Sequence, residues 1–149
     1  FEEISRSVNF IKGIDHEIKL HISYCKKWRI PLKSLNNTIV EKANSAYTNH
    51  VLKIAKSGNN LDIFSCLSAC IIGYGEIGFK LSKIKNWKNS KYSSWIKIYS
   101  SKEYQHVAKD NINYLDILFK NYKNKNLTKL KKNFKKSTVL EKNFWECFV

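Results

Sequence analysis

Proline and glycine are scarce in this sequence: 149 residues include one proline and five glycines. Domains built from strands need many tight turns, and these two residue types supply much of the turn geometry. The scarcity excludes an all-β or α/β domain, and we predict an all-α fold. Methionine is absent altogether and the chain begins at Phe1, so we expect a further N-terminal segment to precede it.

Arginine is also rare, since Arg6 and Arg29 are the only two among 27 basic residues in a chain of formal net charge +15. Recognition of phosphates and guanine favours the planar, bidentate arginine side chain over lysine. The charge is accompanied by 16 asparagines, and this joint excess is typical of codon bias in an AT-rich genome. We therefore expect no nucleic-acid partner, and we interpret the lysine-rich run 120–136 as a solvated helix end and connector.

Long apolar runs and paired cysteines are missing too. No stretch approaches the roughly 18 consecutive apolar residues of a membrane span, and no signal-peptide pattern opens the chain. The cysteines at 25, 66, 70 and 147 form no C-x-x-C pair and no disulfide-dense spacing. We expect a soluble, cytoplasmic protein with reduced thiols and no membrane association.

Apolar residues recur at steps of three and four, which predicts one domain over 1–149, a single bundle of five or six helices. Pro31 ends the first helix or starts a short second turn. The predicted helices cover 2–28, 38–57 (closed by Gly58), 61–84 (capped by Asn59, Asn60 and Asp62), 92–99, 100–122 (capping box Ser100 and Glu103) and 138–149 (capping box Thr138 and Glu141).

Cys70 and Tyr74 lie one helical turn apart, so a thiol and a phenol face the same small volume. A cysteine in a helix also packs as a small hydrophobic residue, so the pair alone does not make a site. Gly73, Gly75 and Gly78 follow in the same predicted helix, where each costs about 1 kcal/mol relative to alanine. Either close helix packing or room for a ligand beside Tyr74 accounts for them.

Glu141 has two interpretations. A capping box with Thr138 explains it without any function. Alternatively, Phe144, Trp145 and Phe148 place this carboxylate on an aromatic helix face, where it is a usable proton donor.

The histidines do not have the spacing of a metal site. His16 and His21 lie five residues apart, about 140° around a helix, whereas helical zinc ligands lie four apart on one face. His50 and His106 have no cysteine or carboxylate at ligand spacing. We expect no metal ligands, and we expect His16 to lie near the surface.

Four segments together resemble the TenA family, also called thiaminase II, in order and at similar spacing. They are Ala46-Tyr-Thr-Asn-His50, Ala69-Cys-Ile-Ile-Gly-Tyr-Gly-Glu76, Tyr92-Ser-Ser-Trp-Ile-Lys-Ile-Tyr-Ser-Ser101 and Glu141-x-x-Phe-Trp145. The resemblance spans nearly the whole chain. It places the family's nucleophile on Cys70, its active-site tyrosine on Tyr74, its other pocket tyrosines on Tyr47 and Tyr99, and its catalytic glutamate on Glu141. Without the resemblance, Tyr47 and Tyr99 are ordinary packing residues.

The resemblance implies a haem-oxygenase-like helical bundle that forms a homotetramer and uses no metal or haem cofactor. The family's aspartate and tyrosine on preceding helices have no match here, so the family domain is N-terminally incomplete. The implied activity is an aminopyrimidine aminohydrolase: its small-molecule substrate, 4-amino-5-aminomethyl-2-methylpyrimidine, gives ammonia and the hydroxymethylpyrimidine used in thiamine synthesis and salvage. The cysteine thiolate adds to the ring and the glutamate protonates a ring nitrogen. The alternative is a degenerate relative that serves as a ligand-binding or protein-interaction module.

Overall fold

A computed structural model describes residues 1–148, apart from the side chain of Glu2. Within those residues it contains seven α-helices, a short 3-10 helix and no strands, which confirms the all-α prediction. The elements are α1 (Glu2–Lys27), α2 (Leu32–Asn36), α3 (Lys42–Ser57), α4 (Asn60–Leu81), the 3-10 helix (Trp87–Asn89), α5 (Ser93–Tyr99), α6 (Lys102–Asn121) and α7 (Leu127–Glu146). The predicted helix end at Val149 lies outside the described residues.

The chain divides into two compact units, Phe1–Val40 and Glu41–Val149, so one domain over 1–149 stays a prediction. The first unit contains α1 and α2. The helix α1 ends in a Schellman motif: Arg29 has a φ of 58°, and the Ile30 N–H donates to the Cys25 carbonyl. Pro31 therefore does not end α1 but directly precedes α2.

The second unit is built around α4, which packs against α3, α5, α6 and α7. The predicted capping by Asn59 and Asp62 is confirmed and forms a capping box, because Asn59 Oδ1 accepts from the Asp62 N–H and Asp62 Oδ2 accepts from the Asn59 N–H. Asn60, the third predicted cap residue, is the first residue of the helix. Asp62 is buried and also lies 2.8 Å from Lys129 Nζ, which ties the start of α4 to the start of α7. By length and composition α4 is apolar enough to cross a membrane; its packing against four helices explains the same composition.

The last helix begins at Leu127 and not at Thr138, so the connector interpretation of the lysine-rich run is wrong from 127 onward. Asn126 caps this helix, because its side chain accepts from the Lys129 N–H. The buried positions of α7 are Leu130, Asn133, Ser137, Leu140 and Glu141. Because Asn133, Ser137 and Glu141 are polar, the inward face of α7 does not appear in the sequence as a helical repeat of apolar residues.

The remaining boundaries differ by a few residues. The helix α3 begins at Lys42, and Gly58 follows its end as predicted. Ser101, not Ser100, caps α6: its hydroxyl accepts from the Tyr104 N–H at 3.2 Å. Because the cap lies one residue later, the predicted box of Ser100 with Glu103 is wrong.

Candidate active site

Three helices bring a thiol, two phenols and a carboxylate together. The Tyr74 hydroxyl on α4 donates to Glu141 Oε2 on α7 at 3.1 Å, and Glu141 is only 8% exposed. Tyr47 of α3 faces the same carboxylate. Cys70 is half-buried one turn before Tyr74, close enough for its charge to act on both phenols. These four predicted site residues therefore converge in one place.

The carboxylate is not part of a helix cap. Thr138 lies inside α7, where its hydroxyl donates to the Phe134 carbonyl at 3.0 Å. The capping-box interpretation of Glu141 is therefore wrong. A buried carboxylate is costly unless it accepts hydrogen bonds, and the Tyr74 hydroxyl supplies one.

The two phenols stay protonated in this setting. Burial raises the pKa of Tyr47 and of Tyr74 well above the ordinary tyrosine value, and the negative charges of Glu141 and then Cys70 raise both further. Ionising either phenol would add another anion to a buried group of acids. Tyr47 and Tyr74 are therefore hydrogen-bond donors toward the carboxylate and not bases.

Tyr99, the fifth predicted residue, closes one side of the site from the end of α5. Its ring lies edge-to-face with Tyr74, with 5.3 Å between centroids. Trp95 lies 4.4 Å from the Tyr99 ring, and Trp145 lies 5.8 Å from the Tyr74 ring. We call Tyr74, Trp95, Tyr99 and Trp145 the aromatic cluster. Trp145 is 41% exposed, so the cluster reaches solvent on its side.

Trp95 and Trp145 were not among the predicted site residues. A signal for both was present, since each lies four residues from a predicted site residue: Trp95 precedes Tyr99 and Trp145 follows Glu141. Residues at that spacing share one helix face.

Two glycines let neighbouring helices approach α4 beside the site. A Cβ at Gly78 would lie 2.6 Å from Tyr99 Cβ, and one at Gly75 would lie 3.3 Å from Ala108 Cβ. A Cβ at Gly73 would meet nothing within 4 Å. Close packing thus explains Gly75 and Gly78, whereas Gly73, the remaining glycine of α4, borders open space.

Other candidates lie outside the site. Cys66 is fully buried, 3.8 Å from His50 Nε2, and packs as the predicted core residue. His16 is exposed, as predicted. Among residues 1–148 no group of three or more His, Cys, Asp or Glu side chains could hold a metal ion. An apolar cleft of about 420 Å³ between α4, α6 and α7 is lined by none of the five predicted site residues.

Comparison with known proteins matches residues 2–148 to the TENA/THI-4/PQQC family. The aminopyrimidine aminohydrolase of Helicobacter pylori is 32% identical over 145 residues, which cover 97% of this chain and 66% of that protein. The aminopyrimidine aminohydrolase of Halalkalibacterium halodurans is 33% identical over 131 residues, covering 87% of this chain and 58% of that protein.

Comparison with solved structures points to the same family. The crystal structure of a TenA family transcription regulator from Silicibacter sp. TM1040 has a TM-score of 0.84 and 31% identity, covering 90% of this chain and 61% of that chain. This chain thus spans about two thirds or less of the length of these three proteins. Its fold, its motifs and the match over residues 2–148 make it a member of the TENA/THI-4/PQQC family.

Proposed function

We propose that this chain carries the active site of an aminopyrimidine aminohydrolase of the thiaminase II type, acting in the salvage of hydroxymethylpyrimidine for thiamine. The observation that carries the proposal is the hydrogen bond between Tyr74 and Glu141, which joins residues 67 apart in sequence beside Cys70. Packing alone gives no reason to bury a carboxylate against two phenols and a thiol. A catalytic site gives a reason for this burial, because it must donate and accept protons.

The aromatic cluster supports a flat, aromatic substrate. Edge-to-face and stacked ring contacts favour an aromatic ligand, and the rings of Tyr74, Trp95 and Tyr99 already hold one another in such contacts. The edge of this cluster at Trp145 is exposed to solvent. The relatives that are 32% and 33% identical to this chain carry the name aminopyrimidine aminohydrolase.

The reaction can be written with these side chains. The Cys70 thiol first gives its proton to Glu141, and the thiolate then forms a bond to a carbon of the electron-poor pyrimidine ring. The electron pair displaced from that carbon is taken up at a ring nitrogen, which receives the proton held by Glu141. The aminomethyl group reacts in its ammonium form: its exocyclic carbon–nitrogen bond breaks, the electron pair of that bond leaves with ammonia, and ring electrons form a double bond to the exocyclic carbon. Water adds to the same carbon and releases one proton to solvent, the ring nitrogen gives its proton to Glu141, and the Cys70–carbon bond breaks with its electron pair on sulfur, which restores the aromatic ring. One water is consumed and one ammonia is released.

The two remaining expectations, a homotetramer and a cytoplasmic location, are also proposals, and both rest on the family resemblance and the reduced-thiol interpretation. Size-exclusion chromatography with light scattering tests the first.

The activity is tested by incubating the full-length protein with the aminomethylpyrimidine and measuring ammonia together with the hydroxymethylpyrimidine. We expect the two products in equal amounts. If the pyrimidine binds without release of ammonia, the hydrolase is refuted in favour of a ligand-binding module. If it neither binds nor reacts, this substrate class is refuted as well.

A further inference from the structure

One amide side chain joins three helices next to the aromatic cluster. Gln105, near the start of α6, donates from Nε2 to the Gly75 carbonyl of α4 at 2.9 Å and to the Tyr99 carbonyl of α5 at 2.8 Å. Gln105 is half-buried. The side chain therefore connects the backbone of a predicted site residue to the central helix.

The position of Tyr99 explains why this connection matters. Tyr99 is the last residue of α5, and the carbonyls of a last helical turn lack donors within their own helix, so Gln105 supplies one from outside. The Tyr99 Cβ lies against Gly78, where the backbones approach closely. Tyr104 lies edge-on to the Tyr99 ring at 4.6 Å, and its hydroxyl donates to the Ile71 carbonyl. Tyr99 is thus held at its carbonyl, its Cβ and its ring.

We propose that Gln105 is a positioning residue: its two hydrogen bonds fix the Tyr99 ring against Tyr74 and Trp95, and thereby set the affinity of the site for its pyrimidine. Gln105 acts through Tyr99 and takes no part in the bond-breaking steps. The effect on affinity rests on the proposed function, whereas the effect on the ring position does not.

The test compares Gln105→Met with Asn111→Leu in the full-length protein. Both changes replace an amide by an apolar side chain of similar size on α6. Asn111 is buried at the same interface between α4 and α6, where its Oδ1 accepts from the Ser68 hydroxyl at 2.7 Å. It therefore controls for a loss of interface stability that does not involve Tyr99.

We expect Gln105→Met to raise KM for the aminomethylpyrimidine about tenfold while kcat stays within about twofold, because binding common to substrate and transition state is lost. Its near-ultraviolet circular dichroism should change, since that signal reports the packing of Trp95 and Tyr99. Asn111→Leu should lower the free energy of unfolding and leave both KM and the near-ultraviolet spectrum unchanged. Gln105→Lys keeps a side-chain donor at this position and should bring KM part of the way back to the wild-type value.

Two outcomes overturn the proposal: Gln105→Met with the KM and near-ultraviolet spectrum of the wild type, or Asn111→Leu with the same shifts as Gln105→Met. A wild-type protein that neither hydrolyses nor binds the pyrimidine refutes the proposed function and, with it, the effect on affinity. In that case the near-ultraviolet comparison still decides whether Gln105 fixes Tyr99.

Discussion

Alanine substitutions at Gly73 and Gly78 of α4 separate two effects on stability. One is the helix propensity of alanine, and the other is the close packing of α5 against α4 beside the site. In Gly73→Ala the added methyl meets nothing within 4 Å, so helix propensity dominates and we expect the free energy of unfolding to rise by about 1 kcal/mol. In Gly78→Ala the methyl would lie 2.6 Å from Tyr99 Cβ and 2.8 Å from the Tyr99 carbonyl carbon. Backbone atoms cannot rotate away, so α5 must shift.

The magnitude for Gly78→Ala follows from two opposing effects. Overpacking costs about 1–3 kcal/mol, and a clash with backbone lies at the upper end of that range. Helix propensity returns about 1 kcal/mol. We therefore expect Gly78→Ala to be destabilised by about 2 kcal/mol, and the two variants to differ by about 3 kcal/mol.

Urea unfolding followed by far-ultraviolet circular dichroism measures both values, provided that the slope with denaturant is unchanged. Because Tyr99 is what the Gly78 methyl meets, Gly78→Ala should also change the near-ultraviolet spectrum, whereas Gly73→Ala should not. Equal stabilisation of both variants would refute the close approach of α5 to α4.

Two further predictions concern titratable groups. Glu141→Gln should lower ammonia release about a hundredfold or more by removing the proton donor, with unfolding by urea little changed because the glutamine oxygen still accepts from Tyr74. Burial lowers the pKa of His50 in the folded protein, so as pH falls this side chain is protonated in the unfolded chain before it is protonated in the folded one. The contribution of neutral His50 to stability is therefore complete above about pH 6.5 and is lost as pH falls from there to the folded-state pKa. His50→Gln should therefore lose less stability than the wild type between about pH 7.5 and about pH 5, measured as the free energy of unfolding in urea. A variant whose stability depends on pH in the same way as the wild type would contradict this prediction.

The apolar helices were predictable from sequence because their inward faces are apolar at helical spacing. The start of α7 was not, because Asn133 and Ser137 face inward among lysines and interrupt the period. The cap of α6 was misplaced by one residue, since Ser100 and Ser101 are adjacent and either can precede a helix.

The site was predictable only in part. The spacing of Cys70 and Tyr74 on one helix indicates a shared face, but no periodicity relates them to Glu141, which lies on α7. The family resemblance supplied that link. Gln105 was missed because its role depends on backbone carbonyls of two other helices, which the sequence does not identify.

The most direct test of the account is ammonia release by the full-length Cys70→Ser variant. Serine is nearly isosteric with cysteine, but its hydroxyl is far less ionised near neutral pH, so we expect turnover to fall about a hundredfold or more while the fold and pyrimidine binding are kept. Cys66→Ser, one turn away in the core, is the matched control and should retain hydrolysis. Wild-type hydrolysis by Cys70→Ser would contradict the covalent mechanism and leave Cys70 as a packing residue.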